Sequence, residues 1–331
     1  MFIIAEIAQA HEGSLGIAHS YIDALSETGV NAVKFQTHIA DAESSVFEPF
    51  RVKFSYEDNT RIDYWKRMEF TTEQWKELKE HCDQVGLEFM SSPFSIAAVE
   101  LLESVGIQRY KIGSGELTNF LMLKKIALTG KPIILSSGMS DWKELDETIA
   151  FLKPFGNPLS LLQCTTAYPT QPEQWGLKMM EEMRSRYHLP VGFSDHSANI
   201  YSGLAATALG AEILEFHVVF HKKMFGPDAK ASLSIEETSD LVKGVRMIEK
   251  SMNAISTKND ISHYTELKTM FGKSLCVNKD LPENHVLSMD DLESKKPGDK
   301  GIPAKQFESV IGRSLKSEMK QWDFLNTENL A

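Results

Sequence analysis

The sequence predicts a (β/α)8 barrel followed by a small, mainly β module, and three observations carry that expectation. Apolar runs of strand length recur at 2–8, 31–37, 87–91, 108–114, 132–137, 160–165, 190–194 and 212–217, with segments of helical spacing between them. The runs show little polar alternation, as strands do when helices cover a parallel sheet. No G-x-G-x-x-G follows an early strand, which favours a closed barrel over an open dinucleotide-binding sheet.

The elements follow in order. FIIAEIA is the first strand and carries Glu6; it is short, lacks a basic flank and does not read as a signal peptide. Ile17, Tyr21, Leu25 and Thr28 mark a helix stopped by Gly29, and the second strand, AVKFQT, carries Lys34 and Gln36. The stretch 38–68, with Arg51, Lys53, Arg61, Tyr64 and Trp65, is too polar for a simple connection. Its place after the second strand sets it over the active face as a lid or specificity loop. Thr71 with Gln74 and Asp141 with Glu144 read as capping boxes, and Gly86 and Gly156 as the stops of the helices they open.

The third strand ends at Ser91 and Ser92, the fourth at Lys111, Ser114 and Glu116, and the fifth at Ser136 and Ser137. Thr165, Thr166 and Tyr168 follow the sixth. The seventh, VGFSDHS, empties into Ser194 and His196, and the eighth, EILEFH, closes on His217. A helix at 235–253 completes a barrel domain spanning 1–253. Residues 254–272 read as a polar linker with a short helix near Glu266 to Phe271, and 273–331 as a separate module with strand-like SLCVNK and HVLS.

Barrel chemistry gathers at the carboxyl ends of the strands, and here those ends are polar. Lys34 and Lys111 sit among apolar residues, where a lysine is costly unless it meets an anion. An ion pair with Glu6 or Glu116 would meet that need, and so would a bound phosphate or carboxylate. His196 and His217 emerge at the same end of neighbouring strands, close enough to share a metal ion or a substrate. With no third histidine or cysteine at a ligand-like spacing, such a metal site would be open, as suits Lewis-acid catalysis. His19 and His81 read as helix-surface residues, whereas His11 and His38 remain candidate site contacts. Two other readings stay open at this level: a Schiff-base pyruvate aldolase or lyase built on Lys111, and a carbohydrate-binding protein without catalysis.

The net charge of −11 argues against general nucleic-acid binding and against an anionic membrane surface. No uninterrupted apolar run approaches membrane-spanning length. Three widely spaced cysteines, Cys82, Cys164 and Cys276, fit a reducing compartment, so the expected location is cytoplasmic.

Taken together, AEIAQAHEGS, AVKFQTH, SSPFS, YKIGSGE, PIILSSGM, LLQCTTAYPT, VGFSDHS, LEFH and GPDAKASL resemble, in order, the sialic acid (N-acetylneuraminate) and nonulosonic acid synthases. KKPGDKGIP and VIGRSL resemble the antifreeze-like (SAF) domain that follows the barrel in that family. The resemblance implies condensation of phosphoenolpyruvate with an N-acyl amino sugar to give a nine-carbon 2-keto-3-deoxy acid and phosphate. By family match, Lys34, Ser92, Lys111, Ser114, Ser136 and Ser194 would hold phosphoenolpyruvate, with Thr166 beside the phosphate where many relatives have asparagine. His196 and His217 would bind a divalent ion, Mn2+ or Mg2+, and Glu6 would act on the water that adds at C2. Gln36, Glu116, Tyr168 and Asp228 match acceptor-sugar contacts. Lys296 takes the place of an arginine that reaches the acceptor from the partner subunit of a homodimer with exchanged SAF domains. Phe216 precedes His217 where a basic residue is common.

Overall fold

A computed structural model describes residues 1–50, 56–255 and 257–331. Arg51 and Lys53 of the expected lid lie outside the described residues. The chain divides into two compact units, Met1–Asn253 and Ala254–Ala331.

In the first unit the strands are β1 (Phe2–Ala8), β2 (Ala32–Thr37), β3 (Glu88–Pro93), β4 (Tyr110–Ile112), β5 (Ile133–Ser136), β6 (Leu159–Cys164), β7 (Val191–Asp195) and β8 (Ile213–His217). All their ladders are parallel, in the order β3-β2-β1-β8-β7-β6-β5-β4. The β1–β8 ladder joins the first strand to the last, and β3 and β4 lie against each other at the seam. This is the (β/α)8 near-barrel that the alternation predicts. Helices α1 (Leu15–Ser26), α2 (Ala40–Glu43), α3 (Arg61–Met68), α4 (Thr72–Val85), α5 (Ile96–Val105) and α6 (Phe120–Ala127) fall in its first half. The second half supplies α7 (Trp142–Leu152), α8 (Met179–Tyr187), α9 (Ile200–Ala208) and α10 (Ile235–Asn253).

The expected capping box forms at Thr71 and Gln74, and the left-handed Gly86 ends α4 as expected. At α7, Asp141 accepts the Glu144 N–H. The stretch 38–68 is less irregular than its polarity suggests. It contains α2 and α3, and Ala40, Tyr64, Trp65 and Met68 bury a small core of their own. The 3.6-residue spacing of Tyr64, Trp65 and Met68 is short and interrupted by charges, which hid it.

Period-two alternation sorts each strand. Outward residues such as Ile3, Val33, Phe35, Leu135, Phe193, Leu214 and Phe216 pack into the layer between sheet and helices. Inward residues stack in layers, and Ile4, Ala32, Met90, Ile134, Leu162 and Ile213 make an apolar plug. Gly192 completes that plug because a Cβ there would lie 2.2 Å from the Ile213 carbonyl oxygen. One step up each strand, the inward positions turn polar.

The second unit pairs β9 (Ser274–Val277) with β10 (Leu292–Lys295) in an antiparallel ladder over a core of Leu275, Val277, Leu281, Leu287, Val310, Leu315, Met319, Leu325 and Leu330. The second strand is therefore LESK. HVLS makes only an isolated bridge, Val286 to Ser314. Its chain turns instead around Asp291, whose carboxylate accepts from the Ser288 N–H and hydroxyl. Within 254–272 lies α11 (Thr265–Phe271).

Candidate active site

The polar layer above the plug faces a cavity of about 480 Å³ at the carboxyl ends of the strands. Glu6, Lys34, Gln36, Ser92, Lys111, Ser114, Glu116, Ser136, Thr166, Tyr168, Ser194, His196, His217 and Asp228 all line it. Their convergence follows from parity: Glu6, Lys34, Ser136, Ser194 and Glu215 lie an even number of residues beyond plug positions on their own strands, so all point inward. Lys296 belongs to the second unit, where its ammonium lies 4.7 Å from the centre of the Phe271 ring.

Several strand-end residues fall on the other face. Ser91 bonds Thr37 across the β2–β3 ladder, and the Ser137 hydroxyl donates to the Leu162 carbonyl. Asp195 accepts from the Ser197 N–H and hydroxyl, and Thr165 donates to the Gln174 carbonyl. Phe216 points outward too and is buried in the helix-facing core. It takes no part in the cavity, so an aromatic residue at this position needs no functional account.

The most consequential side chain not anticipated is Glu215, two residues before His217 and therefore on the same face of β8. An acid inside an apolar run carries the same signal that singled out Lys34 and Lys111. Lys34 pairs with Glu6 and lies 3.9 Å from Glu215, while Lys111 lies 3.1 Å from Glu215. The expected partner Glu116 is not used by Lys111. Glu116 sits beyond the end of β4 and accepts from the Asn119 side chain. Two lysines and two carboxylates thus form one charge-balanced layer, each of the four side chains at most 5% exposed.

Burial pushes the Glu6 carboxyl up to about 7; Lys34 opposes the shift and Glu215 adds to it. At Glu215 burial acts upward as well, but Lys111 and Lys34 outweigh it and hold the carboxyl below its usual range. For Lys34, burial works against the charge, yet Glu215 and Glu6 raise the pKa above the ordinary lysine value. Glu215 Oε2 and the Ser136 hydroxyl are buried without a hydrogen bond from the protein, whereas Glu6 is engaged by Lys34 and by the Gln36 side chain. Spare acceptors and hydroxyls of this kind are what an anionic substrate can engage as the lysines re-pair.

On the adjoining wall the His196 and His217 ring centres lie 5.2 Å apart, with the Tyr168 ring 4.3 Å from His196 and 5.9 Å from His217. Burial, with His217 nearby, depresses the His196 pKa to about 3, so the ring is neutral near pH 7. Its Nδ1 lies 3.0 Å from the Thr165 carbonyl oxygen, which fixes Nδ1 as the donor and leaves Nε2 a free lone pair. A neutral imidazole anchored in this way suits a divalent ion. Among the described residues no group of three or more His, Cys, Asp or Glu side chains converges to hold one. The donor set therefore fits an open site, completed by substrate or water oxygens, and not a closed structural site.

Beyond the end of β2, His38 is sandwiched between Trp65, 3.7 Å away, and Phe94, 4.4 Å away, and its Nδ1 lies 2.6 Å from Glu43. The Trp65 Nε1–H donates to Glu48. His38 lines the cavity. His11 is fully buried against Phe70 and is not among the cavity residues. His19 and His81 face each other on α1 and α4, with Nδ1 atoms 2.8 Å apart.

The chain resembles known proteins in sequence and in fold. Residues 21–257 match the model of the NeuB family. The N,N'-diacetyllegionaminic acid synthase of Campylobacter jejuni is 34% identical over 96% of this chain and 97% of its own length. The human N-acetylneuraminate-9-phosphate synthase is 32% identical over 99% of this chain and 92% of its own. Among solved structures, the N-acetylneuraminic acid synthetase of Leptospira borgpetersenii in complex with citrate superposes with a TM-score of 0.71 at 28% identity, covering 81% of this chain and 90% of that one. No helix among the described residues is long and apolar enough to cross a membrane.

Proposed function

The chain belongs to the NeuB family, and we propose that it condenses phosphoenolpyruvate with an open-chain N-acyl amino sugar to form a nine-carbon 2-keto-3-deoxy acid, releasing phosphate. That it is an enzyme of the synthase type follows from its relatives. The observation that carries the specific reaction is the charge-balanced layer of Lys34, Glu6, Lys111 and Glu215, set beside two histidines in one cavity.

In this reading Lys34 and Lys111 hold the anionic groups of phosphoenolpyruvate, helped by Ser92, Ser114, Ser136, Ser194 and Thr166 around the same cavity. His196 and His217 would hold a divalent ion, Mn2+ or Mg2+, which supplies a Lewis acid for the sugar aldehyde. C3 of phosphoenolpyruvate attacks the aldehyde carbon, and positive character develops at C2. Water adds there and Glu6 takes one of its protons, which passes to the alkoxide left at the former aldehyde oxygen; the C2 hydroxyl then loses its proton and forms the ketone as the C2–O bond breaks and phosphate leaves with that electron pair. A carboxyl lifted toward neutrality can both accept and release that proton. Gln36, Glu116, Tyr168 and Asp228 line the remaining space, where the acceptor would lie. The likeness of KKPGDKGIP and VIGRSL supports reading the second unit as an SAF domain exchanged between two copies, with Lys296 serving the partner's site.

Phosphate release from phosphoenolpyruvate is expected only when an N-acyl hexosamine and a divalent ion are both present. Release that persists after chelation would count against the reading. Replacing His217 with alanine should lower turnover by about a thousandfold or more, the loss expected when a Lewis acid no longer stabilises developing charge. The aldolase alternative predicts borohydride trapping of pyruvate on Lys111. Lys111 is committed as the cationic partner of Glu215, and an imine needs it as a free amine.

A further inference from the structure

Away from the cavity, four polar side chains meet on the outside of the barrel, between α1 and α4. His19 and Asp23 stand one helical turn apart on α1, and Glu77 and His81 stand one turn apart on α4. Their pairing is crossed. His19 Nε2 lies 3.2 Å from Glu77 on the facing helix, and His81 Nε2 lies 2.9 Å from Asp23. Each ring is thereby turned so that its other nitrogen points at its twin, with the two Nδ1 atoms 2.8 Å apart.

The hydrogen bonds leave this arrangement one cation short. An ionised carboxylate only accepts, so each Nε2 carries a proton. A neutral imidazole has no second proton, and the two Nδ1 lone pairs then face each other. Lone pairs at 2.8 Å repel unless a cation lies between them. A shared proton can fill that gap, and so can a metal ion. Metal-binding histidines commonly give their second N–H to a carboxylate, which is the crossed pairing found here. Asp23 and Glu77 also set two negative charges beside the rings, a charge that a dication cancels.

We propose that His19 and His81 form a second metal site, in which the two Nδ1 atoms bind a divalent ion of the zinc class and water fills the other positions. Imidazole donors select zinc over magnesium and calcium, which prefer oxygen. Both carboxylates are engaged at the outer nitrogens, so the protein supplies two ligands. Zn–N bonds of about 2.0–2.1 Å at a tetrahedral angle set the nitrogens about 3.4 Å apart, roughly 0.6 Å more than the observed 2.8 Å. His19 and His81 are 24% and 19% exposed, so their rings can turn that far and water can reach the ion. The ion would tie α1 to α4, the helices on either side of β2 in the sequence. None of this depends on the reaction in the cavity.

The full chain, freed of metal, is titrated with Zn2+, and the equivalents bound are measured by equilibrium dialysis. His81→Gln should bind one equivalent fewer than the unsubstituted chain. The same loss should appear on a His217→Ala background, whose cavity imidazole is already gone. Without metal, His81→Gln should melt within about 2 °C of the unsubstituted chain, as expected of a surface substitution. If it melts lower, His19→Gln removes the other ligand and must give the same one-equivalent loss. Unchanged equivalents in these variants would mean that a proton fills the gap, and the proposal fails. It fails equally if the loss disappears on the His217→Ala background, because the ion then belongs to the cavity.

Discussion

Glu215 in the barrel and Asp291 in the second unit are both buried carboxylates with cationic partners, but they are satisfied to different degrees. Asp291 has Lys279 at 2.8 Å, His285 at 3.0 Å, and the Ser288 N–H and hydroxyl each at 2.8 Å. Glu215 Oε2 accepts no hydrogen bond, and its partner Lys111 lies at the wall of an open cavity. A buried charge kept for architecture is saturated, because every unmet lone pair costs stability. A cluster that must exchange partners with a substrate keeps spare acceptors and places its cations within reach.

Substitutions can break or sharpen that contrast. Lys111→Ala should raise the KM for phosphoenolpyruvate by about a hundredfold, the scale of a lost charge-assisted contact, with a smaller change in kcat. If steady-state kinetics instead show an unchanged KM while the melting temperature falls, the barrel cluster is structural in the manner of Asp291 and the contrast fails. Gly138→Ala probes the same wall by shape. A Cβ there would lie 2.5 Å from Thr166 Oγ1, 2.7 Å from Ser114 Oγ and 2.9 Å from Cys164 Sγ, and the Gly138 N–H now donates to Ser114 Oγ. Displacing those side chains should raise the same KM by about tenfold, the effect of about 1.4 kcal/mol of lost binding. Thermal melts should change little, because the neighbours that must move border the cavity.

Most of the barrel was legible because its signal is repeated. Each strand and helix alternates, and the strand ends gather wherever the alternation puts them. The parity of β8 was legible too, yet Glu215 escaped notice beside His217, whose chemistry is more conspicuous. Glu43, Glu48 and Phe94 were out of reach for a different reason: they meet His38 and Trp65 through tertiary packing of short helices, which no local period announces. In the second unit, HVLS has strand-like composition, but side-chain capping around Asp291 claimed its backbone.

Asp291 offers the smallest and most local test. Burial alone would raise its carboxyl pKa; Lys279, His285 and Ser288 outweigh that and hold it well below the usual carboxylate range. A folded-state pKa lower than the unfolded one contributes stability that is present above the unfolded value, near 3.8, and is lost as pH falls through the folded value. Asp291→Asn removes that contribution at every pH and should cost about 1–3 kcal/mol near neutrality. The readout is amide hydrogen exchange at Leu275 and Val277, whose N–H groups bond Ile302 and Asp323 within the same unit. Protection in the unsubstituted chain should fall as the solution is acidified below about pH 4, whereas Asp291→Asn should start lower and respond less. If the two respond alike to acid, Asp291 is not the group that ties this unit's stability to its charge, and saturation would no longer distinguish it from Glu215.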